Sequence, residues 1–214
     1  MGKVALIAGA TGLVGGQLLE LLLEDDGYER VIAICRKPLV QQHGKLVSLV
    51  CELNQIQDRS SELKADDVYC CLGTTMSKAK SKDAFRAVDF DAPLVLASES
   101  KRQGARQFLL VSALGANKNS RIFYNQVKGQ VEEAIQKVGF DSYHVFRPSL
   151  LLGPRVEQRN GEDAAKLFYS IFGWLIPLKY QAIESMKVAR AMISFAKGHS
   201  TGNFIHESKE MQSF

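Results

Sequence analysis

Val4-Ala5-Leu6-Ile7-Ala8-Gly9-Ala10-Thr11-Gly12-Leu13-Val14-Gly15 begins with an apolar run and continues into glycines three residues apart, with Gly16 directly after them. The run predicts a strand buried on both faces, and the leucine-rich stretch from Leu18 to Leu23 predicts a helix. Glycines between two such elements have separate tasks. One permits the tight turn, one lets the backbone come close to a bound group, and one lets the helix pack on the strand. Free N–H groups at the helix start meet negative charge, and Thr11 adds a hydroxyl donor. Strand, glycine turn and helix in this order are the context of a dinucleotide-binding turn, although the spacing is G-x-x-G-x-x-G instead of the commoner G-x-G-x-x-G. A P-loop is excluded, because no Gly-Lys-Ser or Gly-Lys-Thr follows.

Outward from this turn the pattern alternates. Apolar runs recur at Val31 to Cys35, Leu46 to Leu53, Val68 to Leu72, Phe108 to Ser112 and Ser142 to Phe146. Amphipathic stretches such as Asp83 to Gln103 and Tyr124 to Val138 separate them. Alternation of this kind predicts an α/β fold, a doubly wound parallel sheet with helices on both faces. Gly27, Gly104 and Gly139 each lie between a helical stretch and the next strand, where a left-handed cap favours glycine. From Arg147 onward prolines bracket a short apolar run, which reads as the exit of the sheet and the start of a small cap-like extension. Met186 to Lys197 carries a helix-period apolar stripe that packs on the sheet. The whole chain, 1–214, is expected to be a single domain, with 147–214 contributing the substrate-side region.

Composition narrows the function. Basic residues exceed acidic ones by only four and are scattered, which argues against nucleic acid as a partner. The most apolar late stretch, Leu167 to Ile176, falls short of the roughly twenty residues of a membrane span. Cys35, Cys51, Cys70 and Cys71 lie in or beside strand-like runs without metal-ligand spacing and read as reduced thiols. With no room for a signal peptide before the first strand, a cytoplasmic location is expected. The four histidines are dispersed, so they read as satisfied or solvent-facing, and no metal site is expected.

The chemistry-bearing residues lie in the second half. Tyr124 and Lys128 are four apart on a predicted helix and share one face. An ammonium beside a phenol favours its ionised form, which suits the tyrosine to proton transfer near neutral pH. Ser112 ends a strand at the carboxyl edge of the sheet, the edge at which open α/β sheets bind ligands. In such a site the serine hydroxyl holds a substrate oxygen, Tyr124 gives or takes its proton, and Lys128 tunes the tyrosine and reaches the ribose hydroxyls.

The glycine turn, Ser112, Tyr124-Asn125-Gln126-Val127-Lys128-Gly129 and Phe146-Arg147-Pro148-Ser149 together resemble the short-chain dehydrogenase/reductase superfamily in its atypical branch. Cys71-Leu72-Gly73-Thr74-Thr75 and Val145-Phe146-Arg147-Pro148 narrow the resemblance to the Tat-interacting oxidoreductase-like proteins and their bacterial relatives. The resemblance implies that Gly9, Thr11, Gly12, Leu13, Val14 and Gly15 surround the pyrophosphate. It implies also that Leu72, Gly73 and Thr74 lie beside the adenine ribose, and Pro148 and Ser149 near the nicotinamide. Many members carry Asn-Ala-Gly after the fourth strand and a further catalytic asparagine, where this chain has Gly73-Thr74-Thr75.

Charge selects the cofactor. An acidic residue after the second strand binds a ribose 2′-hydroxyl, whereas a 2′-phosphate needs a cation, and here Cys35 is followed by Arg36 and Lys37. NADP is therefore expected over NAD. The function expected is an NADP-dependent oxidoreductase acting on a small carbonyl or hydroxyl substrate, as a monomer or homodimer. Phe168, Tyr169, Phe172 and Trp174 are candidates for an apolar pocket wall. The alternative is an NADPH-binding regulatory or scaffold protein without turnover; a redox-coupled epimerase is disfavoured by the short region after the sheet. Replacing Arg36 with Ala is expected to weaken NADPH binding roughly ten- to hundredfold, the scale of a lost charge-assisted pair. NADH binding should barely change; equal losses in a titration of both nucleotides would reject the assignment.

Overall fold

The structure is a computed structural model that describes residues 2–153, 177, 180–198 and 200–214. The apolar runs become strands in parallel array: β1 (Lys3–Ala8), β2 (Tyr28–Cys35), β3 (Leu46–Val50), β4 (Asp67–Cys70), β5 (Gln107–Val111) and β6 (Ser142–Arg147). Helix α1 (Leu13–Glu24) follows the glycine turn, and α2 (Met76–Ala79) is a single turn after β4. Helix α3 (Lys82–Arg86) passes through a π turn at Ala87–Asp91 into α4 (Ala92–Arg102), and α5 (Phe123–Gln136) precedes β6. Beyond a small ladder of β7 (Leu151–Leu152) and β8 (Ile183–Glu184) come α6 (Ser185–Lys197), β9 (Gly202–Glu207) and α7 (Ser208–Met211).

The main sheet has the order β3-β2-β1-β4-β5-β6-β9, and every neighbouring pair is parallel. Alternate strand residues divide between two cores. Ala5, Ile7, Tyr69 and Leu109 pack with Leu18 and Leu22 of α1 and Val188 and Met192 of α6. Leu6, Ala8, Val68 and Phe108 pack with Leu96 of α4 and Val131 and Ile135 of α5. Both faces are thus covered, which is why the strands read as uninterrupted apolar runs. The doubly wound parallel sheet stands as expected. Gly104 and Gly139 take the left-handed backbone of a helix stop, at φ +95° and +79°, whereas Gly27 does not, because α1 already ends in extended backbone at Asp25.

The sheet does not end at Arg147. Gly202 to Glu207 returns beside β6, in register from Ser142 opposite Gly202 to Arg147 opposite Glu207. Its alternation was hidden because it is an edge strand, exposed at Gly202, Asn203 and Ile205. Pro93 accounts for the π turn before it. Lacking an N–H, it cannot bond the carbonyl of Asp89, and the helix widens over the residues preceding it.

His144 and His206 are buried and linked: Ser142 Oγ lies 2.8 Å from His144 Nε2, and His144 Nδ1 lies 2.9 Å from His206 Nε2. His206 Nδ1 also meets Glu210 at 3.2 Å. Burial, then the neighbouring His206, holds His144 down to about 4, and burial lowers His206 against the pull of Glu210. Below the ordinary histidine value the unfolded chain binds more protons than the folded one, so stability falls as pH drops from about 6.5 towards 4. Thermal unfolding should show a melting temperature lower by roughly 5 °C at pH 5 than at pH 7. The same comparison in His144→Gln should show a smaller fall; an unchanged pH dependence would remove the pair as its source.

Candidate functional site

The chain runs from β1 outward to β3 and then crosses back to β4 on the other side of β1, so the sheet changes winding direction between β1 and β4. Ligands of open α/β sheets bind at the carboxyl ends of the strands at such a point. Gly9 directly follows β1 there, at φ +87°, and a Cβ on it would stand 2.5 Å from the Cys71 carbonyl oxygen. A Cβ on Gly15 would stand 2.1 Å from the Gly9 oxygen and 3.2 Å from Cys71 Cβ. At Gly16 it would meet only Ala10 O, at an ordinary 3.5 Å. Gly9 and Gly15 are thus required by close approach, and Gly16 is not.

Gly12 caps α1 with extended backbone, its N–H bonded to the Gly9 carbonyl at 2.9 Å. No side chain caps the helix and its first turn holds no acidic residue. The first N–H groups of a helix lack partners within it, and together with the helix dipole they suit a phosphate. Thr11 is exposed beside them, Leu13 is half-buried and Val14 is buried in the core. The uncapped start of α1, with no acidic side chain in its first turn, therefore fits an anionic group such as a pyrophosphate. Arg36 and Lys37 follow the carboxyl end of β2, the neighbour of β1, and both are exposed without an ion pair among the described residues.

Tyr124 and Lys128 lie one turn apart on α5, as their spacing predicts. The Tyr124 ring is half-buried against Phe85 of α3, at 5.6 Å between centroids. Lys128 is buried, and its Nζ lies 2.8 Å from Asp89 Oδ1. Burial disfavours its charge, but Asp89 and then Tyr124 outweigh that, leaving the ammonium above the usual lysine range. Asp89 Oδ2 accepts the Thr74 N–H at 2.8 Å, and Gly73 lies over the pair, its absent Cβ 3.6 Å from Lys128 Nζ. Leu72, Gly73 and Thr74 are consequently joined to the helix of Tyr124 through one carboxylate.

Ser112 follows β5 at the same edge, its N–H bonded to the Phe146 carbonyl at 2.7 Å. Its hydroxyl donates to Glu132 Oε1, and among the described residues it makes no hydrogen bond to Tyr124. Glu132 also accepts from Arg147 Nε at 3.1 Å and from its terminal nitrogen at 2.6 Å. Pro148 is buried, its carbonyl accepting the Leu114 N–H, while Ser149 donates to the Gln181 carbonyl and lies 2.9 Å from Ser208 Oγ. Gly129 completes the arrangement. A Cβ there would stand 2.2 Å from Lys118 N, so the chain between β5 and α5 lies directly on the helix.

Asp89 and Glu132 were missed from sequence. Glu132 continues the four-residue spacing of Tyr124 and Lys128, a signal open to reading; Asp89 carries none, since its inward direction depends on the π turn. Phe168, Tyr169, Phe172 and Trp174 lie outside the described residues.

Comparison with known proteins identifies the family. A family model described as NAD(P)H-binding matches residues 9–170. Protein HTATIP2 of Rattus norvegicus is 35% identical over 196 residues, covering 90% of this chain and 80% of its own. Protein FMP52-1, mitochondrial, of Scheffersomyces stipitis is 30% identical over 218 residues, covering 97% and 96%. Among solved structures, the Bordetella bronchiseptica enzyme WbmH in complex with NAD+ superimposes with a TM-score of 0.72 at 16% identity, over 96% of this chain and 75% of that one. The UDP-glucose 4-epimerase of Thermotoga maritima with UDP-glucose gives 0.71 at 16%, over 94% and 75%. At that identity the likeness is one of fold. The relatives also correct the cytoplasmic expectation. Several FMP52 proteins are named mitochondrial, so reduced cysteines and the lack of a signal-peptide pattern did not suffice to place the chain in the cytoplasm.

The glycine geometry sets a direct contrast. Gly15→Ala should lower stability by about 1–3 kcal/mol, the cost of overpacking, whereas Gly16→Ala should be neutral or stabilising by up to about 1 kcal/mol from helix propensity. Urea unfolding of the two variants measures both; equal effects would contradict the close approach at Gly15.

Proposed function

The chain belongs to the NAD(P)H-binding family, and from that premise we propose that it is an NADP-dependent oxidoreductase acting on a carbonyl or hydroxyl of a small substrate. The observation that carries this reading is the shared face of α5, which sets Tyr124 one turn from a buried, charged Lys128 beside the Gly73–Thr74 loop. In this reading Gly9, Thr11, Gly12, Leu13, Val14 and Gly15 hold the pyrophosphate, and Arg36 and Lys37 take the 2′-phosphate. Leu72, Gly73 and Thr74 border the adenine ribose, and Pro148 and Ser149 border the nicotinamide. The nicotinamide, when bound, supplies or accepts the hydride.

The chain's own residues move and hold the proton. Tyr124 Oη gives a proton to the substrate oxygen in reduction and takes it back in oxidation. Lys128 places a fixed positive charge next to that phenol and reaches the ribose hydroxyls. Ser112, its hydroxyl donating to Glu132, offers lone pairs to the site and so orients a group that donates to it.

That same bond favours a second reading, an NADPH-binding regulator without turnover. Both serine hydroxyls of the proposed site, Ser112 and Ser149, already donate inside the protein. A panel of carbonyl substrates with NADPH separates the two. Oxidoreduction predicts turnover in the wild type and a loss of about a hundredfold or more in Tyr124→Phe, the scale of general acid catalysis. Undiminished turnover in the variant sinks the catalytic role of Tyr124. NADPH binding without turnover in either protein selects the regulator.

A further inference from the structure

Among the described residues, the groups that face Lys128 come from three elements: Asp89 of the π turn, Tyr124 of its own helix, and the Cys70 thiol at the end of β4. Burial, the largest influence on the thiol, pushes Cys70 up to about 11, which leaves Asp89 as the carboxylate that answers the ammonium. Asp89 is itself 1% exposed, so neither charge has solvent to turn to. Its two oxygens are divided between two parts of the site, Oδ1 on Lys128 and Oδ2 on the Thr74 N–H, both at 2.8 Å. We propose that Asp89 is a positioning residue that fastens the Lys128 ammonium to the Gly73–Thr74 loop, so that lysine and loop hold one arrangement as a unit. This rests on the role given above to Lys128 at the ribose.

The ion pair and the hydrogen bond can be separated. Asp89→Asn keeps an oxygen for Thr74 N–H but offers no charge to Lys128. A buried ammonium without a counter-charge loses its proton more readily than in the unfolded chain, so the variant gains stability relative to wild type as pH rises. Melting temperatures of the full chain are to be measured without nucleotide at pH 6.5 and 9.5 for wild type, Asp89→Asn, Lys128→Met and the double variant. The deficit of Asp89→Asn should shrink by roughly 5 °C at the higher pH. The double variant, having no charge to bury, should melt above Asp89→Asn at pH 6.5 and show no pH-dependent deficit.

NADPH titrations followed by nucleotide fluorescence supply the second readout. In Asp89→Asn the affinity relative to wild type should fall about tenfold between pH 6.5 and 9.5, following the lost lysine charge. A deficit that does not change with pH overturns the proposal. So does a double variant no more stable than Asp89→Asn, including the case in which neither folds. If Lys128→Met binds NADPH as wild type does while the melting pattern holds, the Asp89–Lys128 tie stands and the ribose role of Lys128 falls.

Discussion

Three stretches of backbone meet where β1 turns into α1, and no side chain fits between them. The Gly9 carbonyl is where a Cβ on Gly15 would go, and the Cys71 carbonyl is where a Cβ on Gly9 would go. This contact lets α1 begin against the strand it has just left and lets the segment after β4 run alongside. Cys71 N bonds to the Ala8 carbonyl at 2.8 Å, extending the pairing of β1 and β4 past the end of both strands. The position of Leu72, Gly73 and Thr74, and through Asp89 that of Lys128, follows from how closely these backbones pack.

The two edges of the sheet are built differently. At the amino edge the opening residues of four strands form a closed polar network. Tyr28 donates to Asp67 at 2.6 Å and its oxygen lies 2.7 Å from that of Tyr69, while Gln107 and Lys3 also donate to Asp67. Every group there has a partner, which suits a role in stability. At the carboxyl edge lie the uncapped helix start and the exposed Arg36 and Lys37, groups that point outward without protein partners among the described residues. Binding capacity lies where polar groups are left available.

Most of the sheet was legible because burial on both faces turns strands into apolar runs, and because Gly104 and Gly139 sit where the backbone must take positive φ. Tyr124 and Lys128 were legible because a helix brings residues four apart together whatever surrounds it. What was not legible depends on distant partners. Gly-Asn-Phe-Ile-His-Glu is a strand only because β6 lies beside it. Ser112 reads as a hydroxyl ready for a ligand until Glu132, twenty residues on, is seen to accept its hydrogen bond. Asp89 faces inward through the π turn ahead of Pro93, and no periodicity announces that.

The placement of β9 has a consequence for how the chain reaches this state. Ser142 pairs with Gly202 across some sixty residues of intervening sequence, so the final ladder closes a long loop of chain. Closing so long a loop costs chain entropy before the ladder returns any, and pairings of that kind form late. Until β9 arrives, β6 offers a row of unpaired N–H and C=O groups to any other strand in solution. Aggregation during refolding is thus most to be feared from chains complete through β6 and still missing their last strand.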